Sequence, residues 1–161
     1  MRKGILVIGL GNPLSGDDAY GHRVVKLLEA ECPDLLDRCD LIDAHTDLLG
    51  HLDSFGRYER VVLVDALLDP QQRFGAWGEV VTLGPEELDS LPDPVAGIHE
   101  VSPLTAIKLY KTLKPDSGTR FSLVALCTDR IGIGAGNRLT QTAVEEGCSR
   151  ICKMHQTSGS E

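Results

Sequence analysis

A short apolar run in the middle of the chain constrains the fold more than any other feature of the sequence. Arg60-Val61-Val62-Leu63-Val64-Asp65-Ala66 contains four consecutive apolar residues before its carboxylate. Such a run is typical of a strand that is buried on both faces, as in a parallel sheet with helices above and below it. Residues 5–9 have the same character. The two runs predict an α/β fold in which residues 60–66 form the central strand.

Further apolar runs alternate with amphipathic stretches along the rest of the 161 residues. We predict additional strands over residues 41–44, 77–83 and 120–127. Helices are predicted over residues 21–31 and 47–55, from Pro103 after an N-cap at Ser102, and from a cap at Asn137 to Lys153. The connection before residues 77–83 has no helical pattern and is too short for a parallel crossover, so this strand is predicted to be antiparallel. The sequence therefore predicts one domain over residues 1–153, with a mixed five-stranded sheet and a frayed tail over residues 154–161.

The charge balance excludes several classes of partner. The chain has 16 basic and 24 acidic side chains, a formal net charge of −8, whereas proteins that bind nucleic acid or anionic membranes need a basic surface. No apolar run approaches the roughly 20 residues that span a bilayer, and the first residues do not form a signal peptide. Five cysteines without a CxxC pair are typical of free thiols in a reducing compartment. We expect a cytoplasmic protein that binds neither nucleic acid nor membrane.

Candidate site residues follow the predicted strands, because ligand sites of open α/β sheets gather at the carboxyl ends of the strands. The first strand leads into Gly9-Leu10-Gly11-Asn12 and then Asp17-Asp18, the second ends in Asp43-Ala44-His45-Thr46, and the central strand ends in Asp65. His99 lies in a later loop. Two carboxylates, Asp18 and Asp65, and the His99 imidazole would form an open site for a divalent transition metal if they meet at one edge of the sheet.

The acidic residues also have structural interpretations, which the sequence leaves open. Asp17 and Asp18 could interact with the dipole of the following helix. Neighbouring backbone amides could cap Asp65, since a carboxylate at the end of an apolar strand is costly to desolvate without a partner. Asp69 follows on the connection after this strand, where we expect it to be solvated.

Other patterns are weaker indications of function. Asp43 and Thr46 could organise a turn and cap the next helix, with His45 as a weak candidate ligand. A dinucleotide site is disfavoured because Leu14 stands where the third glycine of a GxGxxG motif would fall. Cys148 and Cys152 are four residues apart and could contribute to a zinc site, although buried free cysteine more often acts as a small apolar residue.

The ordered set of motifs resembles the hydrogenase maturation endopeptidases, which process the large subunit of nickel–iron hydrogenases. The resemblance covers residues 4–150 and depends on Gly9-Leu10-Gly11-Asn12, Asp17-Asp18-Ala19-Tyr20-Gly21, Asp43-Ala44-His45-Thr46, Val64-Asp65-Ala66 and His99. It implies a three-layer α/β/α sandwich of the phosphorylase/hydrolase-like kind. It also implies that Asp18, Asp65 and His99 gather around nickel and carry the catalysis.

The implied activity is an aspartic-type or metal-dependent endopeptidase. It would remove a C-terminal peptide from the hydrogenase large-subunit precursor after nickel insertion. The nickel would belong to the precursor and could be missing from the purified protein, because thiolates of the precursor hold it more firmly than an oxygen-rich set. The resemblance further implies that the precursor is the partner, and we expect a monomer.

Two departures from the family pattern bear on the choice of precursor. Ala44-His45 stands where the family usually has two glycines, and Cys127-Thr128-Asp129-Arg130-Ile131-Gly132 lacks a common proline-containing pattern.

Two alternative functions remain at this point. One is a nickel-dependent docking or chaperone module that binds the precursor without cutting it. The other is a peptidyl-tRNA hydrolase, which opens with a similar Gly-Leu-Gly-Asn-Pro motif but fits poorly with the acidic charge.

Overall fold

The described residues form one mixed sheet in the computed structural model, which describes residues 3–91, 102–132 and 137–158. The strands are β1 (Lys3–Leu10), β2 (Cys39–His45), β3 (Tyr58–Leu68), β4 (Val80–Leu83) and β5 (Arg120–Thr128). Their order is β2-β1-β3-β5-β4, and β4 alone runs antiparallel to its neighbour. The predicted central position of β3 is confirmed. The predicted direction of β4 is also confirmed, although β4 pairs with β5 at the edge of the sheet.

Helices cover both faces of this sheet. They are α1 (Tyr20–Glu31), α2 (Pro85–Ser90), α3 (Pro103–Leu113) and α4 (Gln141–Ser158), with 3₁₀ segments at Gly16–Ala19, Pro33–Asp37 and Leu49–Arg57. α1 and α4 pack on one face, and α2, α3 and the segment Leu49–Arg57 pack on the other. The three-layer α/β/α sandwich that the family resemblance implies is therefore confirmed. No helix within the described ranges is long and apolar enough to cross a membrane.

The apolar character of β1 follows from its position between the two helical layers. Leu6 and Ile8 belong to the apolar cluster beneath α3, whereas Ile5 and Val7 belong to the cluster beneath α1 and α4. All four side chains are buried. Because successive residues of a strand point to opposite faces, only a continuous apolar run fills both layers.

Three aromatic rings fill the layer beneath α3. Phe55, Tyr110 and Phe121 pack edge to face on one another, with ring centroids 5.4 to 5.6 Å apart. Edge-to-face pairs are favoured over face-to-face pairs because the positive ring edge meets the negative ring face. The trio joins β5, α3 and the 3₁₀ segment Leu49–Arg57.

The helix boundaries differ from the predictions at several points. Ser102 caps α3 as predicted, since its Oγ accepts a hydrogen bond from the Thr105 amide at 3.1 Å. The predicted cap at Asn137 is wrong: α4 begins at Gln141, and Thr140 Oγ1 accepts from the Ala143 amide at 3.1 Å. α4 also continues to Ser158, beyond the predicted end at Lys153. The short helix predicted over residues 47–55 is the 3₁₀ segment Leu49–Arg57. The six-residue helix α2 was not predicted, because it is too short to show a helical period.

Candidate functional site

A close approach of α1 to the sheet assembles the candidate site. A Cβ atom on Gly21, in the first turn of α1, would lie 2.3 Å from the Val64 carbonyl oxygen and 2.4 Å from the Leu10 carbonyl oxygen. Real Cβ atoms do not come this close to backbone oxygens, so only glycine fits here. The start of α1 therefore rests directly on the backbones of β1 and β3, which brings the residues just before the helix near the carboxyl ends of both strands.

The turn after β1 holds Asp18 in place. Gly11 has φ of +104°, a conformation that favours glycine, and a Cβ there would lie 2.0 Å from the Asp18 carbonyl oxygen and 2.8 Å from its Oδ1. The Asn12 amide donates to Asp18 Oδ2 at 2.9 Å. Asp18 itself is only 6% exposed. Its carboxylate is thus buried, oriented by the backbone and pressed against the Gly-Asn turn.

Asp65 faces the same pocket from β3. It is half-buried, and its Oδ1 accepts a hydrogen bond from the Ala66 amide at 2.8 Å. β3 continues to Leu68, so Asp65 lies inside the strand rather than at its end. The capping interpretation is therefore correct for one of its oxygens, and it does not conflict with a role in the pocket.

The pocket between these residues is small. Its volume is about 30 Å³, and it is lined by Leu10, Gly11, Asp18, His45, Thr46, Leu48 and Asp65. A cavity needs about 10–15 Å³ of such volume to hold one water molecule. The pocket therefore has room for an ion or for one or two water molecules. Two carboxylates at such a pocket are a fitting donor set for a divalent cation.

The three predicted site residues have different outcomes. Asp18 and Asp65 line one pocket, and His45 lines it with them. His99 lies outside the described residues, so its place in the site stays a prediction. In the sequence, His45 is only a weak candidate ligand. Its place in the loop after the second strand is the one feature that could have indicated its position at the pocket.

Asp17 has a structural role that its neighbour Asp18 does not share. Asp17 is fully buried. Its Oδ1 accepts from the Arg138 and Leu139 amides at 2.7 and 2.8 Å, and its Oδ2 accepts from Thr128 Oγ1 at 2.7 Å. The side chain thereby ties the start of α1 to the end of β5 and to the segment before α4. Partners more than 100 residues away decide this role, which the helix-dipole interpretation missed.

Asp69 is also structural, and its predicted solvation is wrong. It is 3% exposed, and its two carboxylate oxygens accept from the Arg73 and Phe74 amides at 2.8 and 2.9 Å. The Trp77 indole donates to the Asp69 carbonyl at 2.8 Å. The residue therefore organises the connection between β3 and β4.

The cysteines are free thiols, and Cys148 and Cys152 lie on α4. Burial raises the pKa of Cys148 to about 12 and that of Cys152 to about 11. These shifts disfavour the thiolate form that a zinc ion requires. The structure lends no support to the zinc alternative at this pair.

Comparisons with known proteins give the fold a precedent. No protein-family model matches the chain, and no curated protein matches it. Among solved structures, the hydrogenase maturating endopeptidase HybD from E. coli is similar with a TM-score of 0.69 and 23% identity, covering 99% of this chain and 94% of that one. The [NiFe] hydrogenase maturation protease HycI from Thermococcus kodakarensis has a TM-score of 0.65 and 20% identity, covering 98% and 92%. A hydrogenase 2 maturation peptidase from a Thaumarchaeota archaeon has a TM-score of 0.63 and 23% identity, covering 97% and 99%. The chain therefore has the fold of these maturation proteases over nearly its whole length.

Proposed function

We propose that the chain is a hydrogenase maturation endopeptidase, which removes a C-terminal peptide from the nickel-loaded large-subunit precursor of a nickel–iron hydrogenase. One observation carries the proposal: Asp18 and Asp65 line the same small pocket, which has room for an ion. The shared fold with three maturation proteases supports it. The proposal includes a cytoplasmic monomer whose partner is the precursor.

The pocket explains how such an enzyme would recognise its substrate. We assign the nickel of the precursor to the oxygens of Asp18 and Asp65, with the imidazole of His99 as a third ligand implied by the family resemblance. When bound, the ion polarises a nearby carbonyl as a Lewis acid. Hydrogen bonds from the Asn12 and Ala66 amides orient the two carboxylates before the substrate arrives.

Peptide hydrolysis also needs groups that move protons. A water molecule that adds to the scissile carbonyl must lose a proton, and the departing amine must gain one. The carboxylates of Asp18 and Asp65 and the imidazole of His45 are the titratable groups that line the pocket within the described residues. We assign the proton transfer to one of the two carboxylates, which makes the reaction aspartic-type with a metal-bearing substrate.

Cleavage of a purified, nickel-loaded precursor tests the proposal. The wild-type protein should shorten the large subunit on a denaturing gel, and D18N and D65N should reduce the rate by at least about 100-fold, the usual contribution of an acid–base group. D37N is a matched control, because Asp37 is exposed and precedes β2 at the amino-terminal edge of the sheet. It should cleave at the wild-type rate.

Two outcomes would overturn the proposal. Wild-type cleavage rates in both D18N and D65N would show that the pocket does not carry the reaction. A stable complex with an uncut precursor would instead identify the docking module. The peptidyl-tRNA hydrolase alternative has no support in the matched structures, and tight, salt-sensitive binding of tRNA would be needed to restore it.

A further inference from the structure

A second group of metal-ligating side chains lies next to the pocket of Asp18 and Asp65. His22 comes from α1, and Asp43 and His45 come from the end of β2. One ligand atom from each of the three lies within 4.8 Å of the others. His22 Nδ1 contacts Asp43 Oδ2, and His45 Nδ1 lies 4.0 Å from Asp43 Oδ1. The two imidazole rings are stacked with their centroids 6.1 Å apart.

The Asp43 carboxylate has an unsatisfied oxygen that faces this group. Its Oδ1 is buried, and no hydrogen-bond donor reaches it among the residues that the structure describes. Leaving a buried polar atom without a partner costs about 1–3 kcal/mol, and more when the group is charged. A positive ion between Asp43 and His45 would remove this cost, whereas the hydrogen bond to His22 satisfies only the other oxygen.

The backbone of His45 is a second independent sign. His45 has φ of +52°, a region that L-residues rarely occupy and glycine occupies freely. The conformation is imposed by the surroundings: the pairing of β1 with β2 shifts register here, and the Gly11 amide donates to the His45 carbonyl oxygen at 2.7 Å. Non-glycine residues held in such conformations cluster at functional sites. The imidazole of His45 is exposed, so a ligand can reach it.

We propose that His22, Asp43 and His45 bind a divalent transition-metal ion at a second site, which adjoins the pocket of Asp18 and Asp65 through His45. Two imidazoles and one carboxylate suit ions of intermediate softness such as Zn²⁺ and Ni²⁺, and they do not suit Mg²⁺, which prefers oxygen ligands. Ligand bonds of about 2.0–2.2 Å place the ligand atoms of one ion roughly 3–4 Å apart. Side-chain rotation that moves the ligand atoms by about 1 Å would therefore bring them to the spacing that a single bound ion requires. Because His45 is exposed, water could complete the coordination of an ion held by three protein ligands.

The site differs from the proposed catalytic pocket in its ligands, so the two can be tested separately. The experiment uses tag-free, chelator-treated protein and follows binding by calorimetry with ZnCl₂, NiCl₂ and MgCl₂ as the probes. The double variant D18N/D65N should still bind one Zn²⁺ ion. H22A and H45G, made in the same D18N/D65N background, should weaken that binding at least about tenfold, since even residues behind a ligand contribute 10- to 100-fold. MgCl₂ should give no binding at matched concentrations.

The H45G variant also tests whether His45 has only a structural role. Glycine suits the φ of +52°, so without metal this variant should unfold at the same temperature as the D18N/D65N parent or higher, while losing zinc affinity. A purely structural role for His45 would not separate these two measurements. The matched control is H51A, because His51 is a half-buried histidine on the segment Leu49–Arg57 and is not one of the proposed ligands. This variant should bind zinc as its parent does.

The proposal fails under either of two results. Zinc affinity unchanged in both H22A and H45G would show that these imidazoles are not ligands. Zinc binding that disappears in D18N/D65N would place the ion in the catalytic pocket. Neither result bears on cleavage of the precursor, so failure here leaves the proposed function to its own test.

Discussion

Replacing Asp17 by alanine should destabilise the protein severely without removing any group from the pocket. The substitution leaves the Arg138 and Leu139 amides without their acceptor, whereas Thr128 Oγ1 keeps a second partner, the Arg130 carbonyl oxygen, at 3.1 Å. Each donor left unpaired costs about 1–3 kcal/mol, so D17A should lower the free energy of unfolding by roughly 2–6 kcal/mol. This is a large fraction of the 5–15 kcal/mol that stabilises a typical domain.

Thermal and urea unfolding followed by circular dichroism measure this loss. For a chain of this length, about 1 kcal/mol lowers the midpoint temperature by about 2–4 °C, so D17A should unfold roughly 10 °C earlier than the wild type. D17N is a milder variant if D17A does not fold, because its amide oxygen can still accept both backbone bonds. D18N is the control, since Asp18 accepts one amide bond and its change should stay within about 1 kcal/mol.

Substitutions of the two adjacent aspartates should therefore have different effects: D17A should lower the stability of the fold, and D18N should lower the rate of cleavage. A midpoint for D17A within about 2 °C of the wild type would refute the reasoning, because it would mean that the three hydrogen bonds do not hold the start of α1 against β5. Loss of precursor cleavage in D17A at unchanged stability would refute it as well, and would place Asp17 in the site.

Two further predictions concern packing and pH. The G21A substitution should lower the free energy of unfolding, measured in urea, by about 1–3 kcal/mol or more. The reason is that its methyl group would lie 2.3 Å from the Val64 carbonyl oxygen. An unchanged urea midpoint would contradict the close packing of α1 on the sheet. Burial raises the pKa of Cys39 and Cys127 from 9.0 to about 11. The folded protein therefore retains protons that the unfolded chain releases, so stability should be unaffected by these thiols below about pH 9 and fall between about pH 9 and 11. Equal urea midpoints at pH 8 and pH 10.5 would contradict this prediction.

The elements of the fold were predictable where the local sequence alone determines them. The apolar run around Val62 fills two layers at once, which only a central strand does, and the short connection before β4 leaves no room for a parallel crossover. The Ser102-Pro103 pair caps α3 through a bond to an amide three residues away. By contrast, Thr140 rather than Asn137 caps α4, since both residues are good caps and tertiary packing chooses between them.

The site was predictable only in part, because the roles of its carboxylates depend on distant partners. Asp17 and Asp18 are neighbours of the same type, and contacts with Thr128 and Arg138, more than 100 residues away, make one of them structural. The contact between His22 and Asp43 joins α1 to β2 and has no local sequence signal. The pocket itself could be anticipated, because the sheet edge at which strands β1 and β3 end follows from their parallel direction.

The strand order has a consequence for synthesis of the chain. β5 is the permanent neighbour of β3, yet it begins at Arg120, about fifty residues after β3 ends at Leu68. At about 5–20 residues per second, a ribosome needs several seconds to cover that interval. During this time the nascent chain presents the backbone of its central strand as an open edge, which invites pairing with other chains. Newly made protein should therefore be the aggregation-prone form, and a chaperone that covers β3 until β5 emerges would raise the yield of folded protein.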